Sequence, residues 1–409
     1  MTCSPGQNRN LDTTRTFSAA RAWTVAGLLF ASGFLNYLDR AILSVALPVI
    51  AADLHLGPAA KGVLLSAFFW SYAVMQLPMG WAADRYRLRW LYAGCFTLWS
   101  LSCGFTGYVG SLGVLLFMRV LLGIGESIYV PGGVKIVSLA FSIQDRGLAL
   151  GLMNCGTRAG LAFGGPLIAW LVTSFGWQRS FIILGFGSLF WLVPWLMAYP
   201  GNDGSTKTTA PTIRKTLGAV DRNLLGLCLG HIAFSYYWYL FVTWLPDYLV
   251  ESRQMSLQRA GMYITIPFMV FALSEPLGGW IADRLIAGGR SESTARKLVI
   301  TVGFLTSGML LVAGRVADDK TAVMLIGAAS LVGLATGNLY ALLASVAPEG
   351  AVGTWMGMLN AAGNISGIVA PIVTGLLVSR SGSYYPAFAV AVIVLLLGLP
   401  AYWWMVGAK

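Results

Sequence analysis

The chain runs to 409 residues, of which 57% are hydrophobic and 11% charged, with a net charge of +11 and a mean hydropathy of +0.71. Soluble domains carry about a quarter charged residues, so this balance excludes a soluble enzyme or binding module and points to a chain that lies almost wholly in a membrane. The basic residues sit at the ends of apolar runs and form no continuous surface, which argues for orientation in a bilayer and against nucleic acid.

In chain order, residues 1–21 carry Arg9, Arg15 and Arg21 but no apolar centre or small-residue cleavage site, so they read as a tail and not as a signal peptide. Apolar runs long enough to cross a bilayer, about 17–25 residues each, follow at 23–49, 61–83, 90–109, 112–137, 147–174 and 180–199. A polar break at 200–221, rich in Gly, Ser, Thr, Pro and charge, reads as a linker. Six more runs follow at 222–250, 260–285, 297–314, 321–346, 352–379 and 384–405, and 406–409 form a short tail. The expected fold is an all-α membrane protein of twelve transmembrane helices in two six-helix bundles, 22–199 and 222–405. Most Lys and Arg outside the spans fall on the side shared by both ends, so the positive-inside rule puts both termini and the linker in the cytoplasm.

The halves repeat. "MQLPMGWAADR" (75–85) and "SEPLGGWIADR" (274–284) align without gaps at the end of the second helix of each half, which makes the bundles pseudo-symmetric and suggests a transporter with its site between them. The pairs Gly160/Gly164, Gly353/Gly357 and Gly363/Gly367 are small-xxx-small patterns that let helices pack closely.

Charges inside the spans are the strongest functional signal, because each costs at least about 2.5–3.5 kcal/mol at the bilayer centre and so faces a partner or a watery cavity. Asp39 and Arg40 stand together in the first span, and Arg119 and Glu126 lie seven apart, close to one face of the fourth. Two acids and two bases can merely lock two helices together. They can also form a switch, because burial favours the protonated form of a carboxylate and a nearby arginine favours the charged form. Arg158 lies in the fifth span beside Thr157; it either lines the cavity and holds a second carboxylate, favouring a dicarboxylate or aromatic acid, or faces a neighbouring helix as a gate pair. Lys135 is close enough to a helix end to snorkel to the interface. Glu275 takes the repeat position of Gln76 and reads as a gate contact; Asn360 and Asn364, four apart, share a helix face.

Other chemistry is not supported. There is no phosphate-binding Gly-x-x-x-x-Gly-Lys-Ser/Thr loop and no Gly-x-Ser-x-Gly elbow. "GIGESI" (123–128) lacks the last glycine of a dinucleotide fingerprint, and His55 and His231 lie in different halves without metal-ligand spacing. The five cysteines are scattered and read as small packing residues.

The repeated "GWAADR" and "GWIADR" resemble the cytoplasmic loop motif of the major facilitator superfamily. "NYLDRAILSVALP", "RVLLGIGESIYVPGGVK", "YYWYLFVTWLPDYL" and "NAAGNISGIVAPIVTG" resemble its anion:cation symporter family, which includes bacterial sugar-acid transporters, sialin and the vesicular glutamate carriers. The resemblance covers residues 22–405. It implies that Asp39 and Glu126 carry coupled protons, that Arg40 engages the substrate anion, and that Arg119 pairs with Asp39. It places Tyr72, Tyr236, Asn360 and Asn364 at the substrate cavity, to which this chain's own Thr157 and Arg158 are added as candidates, and gives gating to Asp84, Arg85, Arg146, Asp283 and Arg284 together with Glu275. Where several sugar-acid members carry glutamine, this chain has Thr157, followed by an arginine that they lack. The expectation is a proton-coupled symporter for an organic anion such as a sugar acid, in a bacterial inner membrane. It needs no cofactor or metal beyond the coupling proton, catalyses no reaction as an enzyme, and functions as a monomer. Sodium coupling, a uniporter or exporter of organic anions, and a non-transporting sensor with the same fold stay open as alternatives.

Overall fold

The computed structural model describes residues 17–141, 143–200, 221–348 and 352–407. Among these the chain is helical, without strands, and runs back and forth in twelve spans. They are α1 (Ala19–Asp53), α2 (Pro58–Arg85), α3 (Leu88–Thr106), α4 (Leu112–Ala140), α5 (Ile143–Phe175) and α6 (Trp177–Ala198) in the first half. The second half holds α7 (Arg222–Ser252), α8 (Leu257–Ala287), α9 (Glu292–Ala313), α10 (Asp319–Val346), α11 (Val352–Ser381) and α12 (Tyr385–Met405). The expected linker, apart from its end residues, and most of the first tail lie outside the described residues.

Ten of these spans are long and apolar enough to cross a membrane on composition alone. The other two, α3 and α5, are diluted by Gly, Ser, aromatic and charged side chains. The helices overrun the expected spans at several ends because they continue into polar surroundings and finish on side-chain caps. Ser18, Ser256 and Ser291 accept hydrogen bonds from the backbone of Arg21, Arg259 and Thr294, and Asp318 accepts one from Thr321. Several spans are interrupted: α4 at Ser127 and Ile128, α10 at the 3₁₀ turn Ser330–Gly333, and α7 at a π-turn, Tyr248–Ser252, just after Pro246.

The packing repeats between halves. α1 lies along α5 as α7 lies along α11, and α4 fits between α2 and α3 as α10 packs on α8 and α9. The halves meet along α2 and α11, along α5 and α8, and where α1 approaches α7. Backbone detail repeats as well. His55 and Gln254, the non-glycine residues with positive φ, of 52° and 53°, stand at the same offset as the two sequence repeats, each just before the second helix of its half. Gly62 and Gly261 share that offset. A Cβ on Gly62 would lie 2.5 Å from the carbonyl oxygen of Pro371 on α11, and one on Gly261 would lie 2.8 Å from that of Gly165 on α5. Glycine is therefore required wherever the halves touch backbone to backbone. Peripheral helices turn large apolar side chains outward, such as Phe190, Met197, Leu397 and Trp404, as contact with lipid requires.

Cross-half contacts among the described residues lie in the middle of the molecule and on the face opposite the termini. At that face Lys61 Nζ on α2 reaches Asp247 Oδ1 on α7 at 2.8 Å and Glu251 at 3.7 Å, and the Tyr384 hydroxyl donates to Asp247. Both Lys61 and Asp247 are buried. Lys61, the first residue of the expected second span, is thus the cation of an inter-half ion pair. On the terminus-bearing side the ion pairs stay within one half: Asp84 with Lys135 at 2.8 Å, and Asp283 with Arg296 at 3.9 Å. Among the described residues, the ion pair and the closest backbone contacts that join the halves near a membrane face thus lie on the face opposite the termini.

Two outcomes follow from this closure. Gly62→Val keeps α2 from approaching α11 and so abolishes transport in a protein that still folds, measured as lost uptake with an unchanged elution profile in detergent. Lys61→Met leaves Asp247 charged and unpaired, at a cost of about 3–5 kcal/mol. Thermal unfolding of Lys61→Met should therefore fall well below native, and adding Asp247→Asn should restore most of the loss.

Candidate functional site

Four charged residues predicted to lie inside the membrane converge between α1 and α4, but not in the expected pairing. Arg40 Nε donates to Glu126 Oε2 at 2.7 Å, with Glu126 fully buried and 14% of the Arg40 side chain accessible. The guanidinium is also covered by rings: its central carbon lies 5.1 Å from the Tyr37 ring, 4.5 Å from Phe68 and 4.7 Å from Tyr72. Tyr72 in turn stacks on Phe68 at 5.0 Å. A desolvated guanidinium gains from both the carboxylate and the aromatic faces.

Arg119 does not close an ion pair with the Asp39 carboxylate. Its Nη1 donates to the backbone carbonyl of Asp39 at 3.4 Å, and its guanidinium sits 5.4 Å from the Phe181 ring. The Asp39 carboxyl is 1% exposed and lies within hydrogen-bonding reach of the Cys103 thiol. The reason lies in how α1 is turned: Arg40 points at Glu126 and draws that acid toward itself, leaving Arg119 behind α1 at backbone level. One carboxylate of the set is therefore paired and the other is held in a buried pocket beside a buried cation.

The local sequence explains the close approach. α4 stops its first helical segment at Glu126, and Gly123 and Gly125 face α2 and α3. A Cβ on Gly123 would lie 2.4 Å from the Phe68 carbonyl oxygen, and one on Gly125 would lie 2.7 Å from the Trp99 nitrogen. The glycines of "GIGESI" thus serve helix contact, which brings Glu126 to the level of Arg40.

A second pair spans the halves. Arg158 Nη2 on α5 reaches Glu275 Oε1 on α8 at 2.5 Å, with 28% and 21% of the two side chains accessible. The Arg158 guanidinium lies 5.5 Å from both the Trp238 and Phe271 rings. Thr157 is buried and donates its hydroxyl to Asn154 O of its own helix at 2.7 Å, so that hydroxyl is directed along α5. Asn364 Oδ1 accepts from the Tyr239 hydroxyl at 3.0 Å, and the Tyr239 ring packs on Phe69 across the halves at 4.5 Å. Asn360, one turn nearer the terminus-bearing face, is exposed, whereas Tyr236 is buried.

The expected gate residues sit on the terminus-bearing side. Arg85 lies over Trp81 at 4.6 Å and Arg284 over Trp280 at 5.0 Å, the same i,i+4 contact in both repeats. The side chain of Arg146 lies outside the described residues. Sequence reasoning passed over Tyr37, Tyr239 and the Lys61 and Asp247 pair. Tyr37 sits two residues before Asp39 in "NYLDR", so a search for aromatic residues flanking the intramembrane charges finds it; Tyr239 lies in the aromatic run "YYWY" with no charge beside it to single it out.

Comparison with known proteins agrees with the fold. The family model described as Major Facilitator Superfamily matches residues 29–292 and 227–408. The probable galactarate/D-glucarate transporter of Escherichia coli (strain K12) is 31% identical, over 95% of this chain and 94% of that protein. The D-galactonate transporter of Escherichia coli O6:H1 is 30% identical over 95% and 96%. Among solved structures, a bacterial homologue of the human lysosomal transporter Spinster, in an inward-facing and occupied conformation, superposes with a TM-score of 0.81 at 19% identity, over 94% of this chain and 97% of that one. A D-xylose-proton symporter superposes with a TM-score of 0.78 at 14% identity, over 95% and 98%. The chain belongs to the Major Facilitator Superfamily and is a membrane transporter, not an enzyme.

Proposed function

We propose that the protein takes up a sugar-acid anion together with protons by alternating access. The observation that carries this reading is the Arg40 and Glu126 pair: an arginine already neutralised by a carboxylate of the protein, ringed by aromatic side chains, and partly accessible between the halves. An incoming carboxylate that takes the guanidinium displaces Glu126 into surroundings that disfavour a free charge, and a proton is the smallest species that neutralises it. Arginine next to the acid also favours a proton over sodium, because a metal ion would have to share its carboxylate with a fixed cation. Asp39, buried beside Arg119 and Cys103, is a second acid able to hold a proton within the same half.

The relatives named for galactarate, glucarate and galactonate transport support a hydroxylated acid as substrate. Tyr239 and the paired Asn364, with the exposed Asn360, supply hydrogen-bonding groups for hydroxyls. The excess of basic residues near the termini supports a cytoplasmic placement of both ends in a bacterial inner membrane. The path lies between the halves of one chain, which supports function as a monomer.

The test is uptake of radiolabelled galactonate and galactarate into proteoliposomes with and without an inward proton gradient. The native protein should accumulate acid only with the gradient, and Glu126→Gln should lose accumulation while still exchanging internal for external acid. Accumulation that ignores the proton gradient, or that persists in Glu126→Gln, overturns the reading.

A further inference from the structure

The chain holds a second arginine and glutamate pair built like the first. Arg40 and Arg158 each meet a glutamate from a neighbouring helix, at 2.7 and 2.5 Å, and each lies over aromatic rings. The pairs differ in place. Arg40 and Glu126 belong to one half, whereas Arg158 and Glu275 join α5 to α8 across the halves, at the innermost cross-half ion pair among the described residues. Tyr37 links the two clusters: its ring lies under Arg40, and its Cβ packs against Gly160, two residues beyond Arg158 on α5. A substrate lying over Tyr37 therefore has Arg40 on one side and the Arg158 segment of α5 on the other.

The geometry points to Arg158 as the site for the second carboxylate of a dicarboxylic sugar acid, with Glu275 as the group that takes one further proton when that carboxylate binds. This rests on the symport reading above. The charge balance is direct. Before binding, each guanidinium is neutralised by its glutamate. A dicarboxylate brings two negative charges and takes both guanidiniums, so both glutamates lose their partners. Glu275 then sits beside Arg158 on α5 and near Thr336 and Tyr340 on α10, with Arg158 already engaged by substrate. One proton from the aqueous side makes it a neutral acid. A monocarboxylate engages Arg40 alone and leaves Arg158 and Glu275 joined, so it carries one proton fewer. With that extra proton the dianion and the monoanion cross with the same net charge, because the extra negative charge and the extra proton cancel.

The test measures initial proton and substrate influx in proteoliposomes for galactarate and galactonate, with the full-length native protein, Glu275→Gln and Arg158→Gln, each checked for native-like thermal stability. The native protein should move one more proton per galactarate than per galactonate, and Glu275→Gln should abolish that difference. Arg158→Gln should raise the KM for galactarate relative to that for galactonate by about tenfold or more, as losing a charge-assisted hydrogen bond implies, and Arg158→Lys should restore part of it. Equal proton numbers for both acids in the native protein, or variants that impair both acids alike, overturn the inference and leave Arg158 and Glu275 as a latch between halves. If the native protein moves both acids without protons, the symport reading and the role of Glu275 fail together, and the KM ratio in Arg158→Gln still decides the role of Arg158.

Discussion

The structure depends on a guanidinium that is already neutralised inside the membrane. Arg40 occupies an interior that cannot tolerate a bare cation, and its charge is balanced by Glu126 at 2.7 Å and by three aromatic rings. A buried pair of this kind adds little net stability, because desolvating the two ions offsets most of their attraction. What it provides is a partner that can be exchanged. The helix break at Glu126, the glycines that let α4 approach α2 and α3, and the turn of α1 that leaves Arg119 on the Asp39 backbone all serve to bring this acid to this base.

The two halves share a frame and differ at the centre. Gly62 and Gly261, His55 and Gln254, and the tryptophan and arginine contacts at 81/85 and 280/284 are matched pairs. At the same register Asp39 and Arg40 of the first half correspond to Trp238 and Tyr239 of the second, and Gln76 corresponds to Glu275. Divergence is thus concentrated where chemistry is needed. At the centre the first half supplies Asp39, Arg40, Arg119 and Glu126, and the second supplies rings, the Tyr239 hydroxyl and Glu275, which reaches across to Arg158. Closure on the face opposite the termini rests on glycine contacts and the Lys61 and Asp247 pair.

Much of this was legible in the sequence, for identifiable reasons. The twelve spans follow from apolar runs whose length is set by bilayer thickness, and the intramembrane charges stand out because they are costly. The pairing did not follow. Seven-residue spacing puts Arg119 and Glu126 near one face of α4, but which of them meets Asp39 or Arg40 depends on the rotation of α1, which no local pattern encodes. Lys61 lies at the very start of its span, where a lysine can reach water, and Asp247 follows a proline that looks like a helix end; only tertiary packing brings them together. Glu275 was visible as a repeat position, yet its partner stands 117 residues away in the other half. The π-turn after Pro246, which carries Glu251 toward Lys61, has no sequence signature beyond the proline itself.

The most direct measurement is proton uptake on substrate binding. Purified protein in weakly buffered detergent solution is mixed with saturating galactonate, and the pH of the medium is followed with an indicator dye. If substrate displaces Glu126 from Arg40, the medium becomes more alkaline as the protein takes up protons, and Glu126→Gln gives a smaller change at equal occupancy. Saturating binding without a change in pH, or with the same change in the variant, would show that Arg40 and Glu126 stay joined when substrate binds and that the pair is structural.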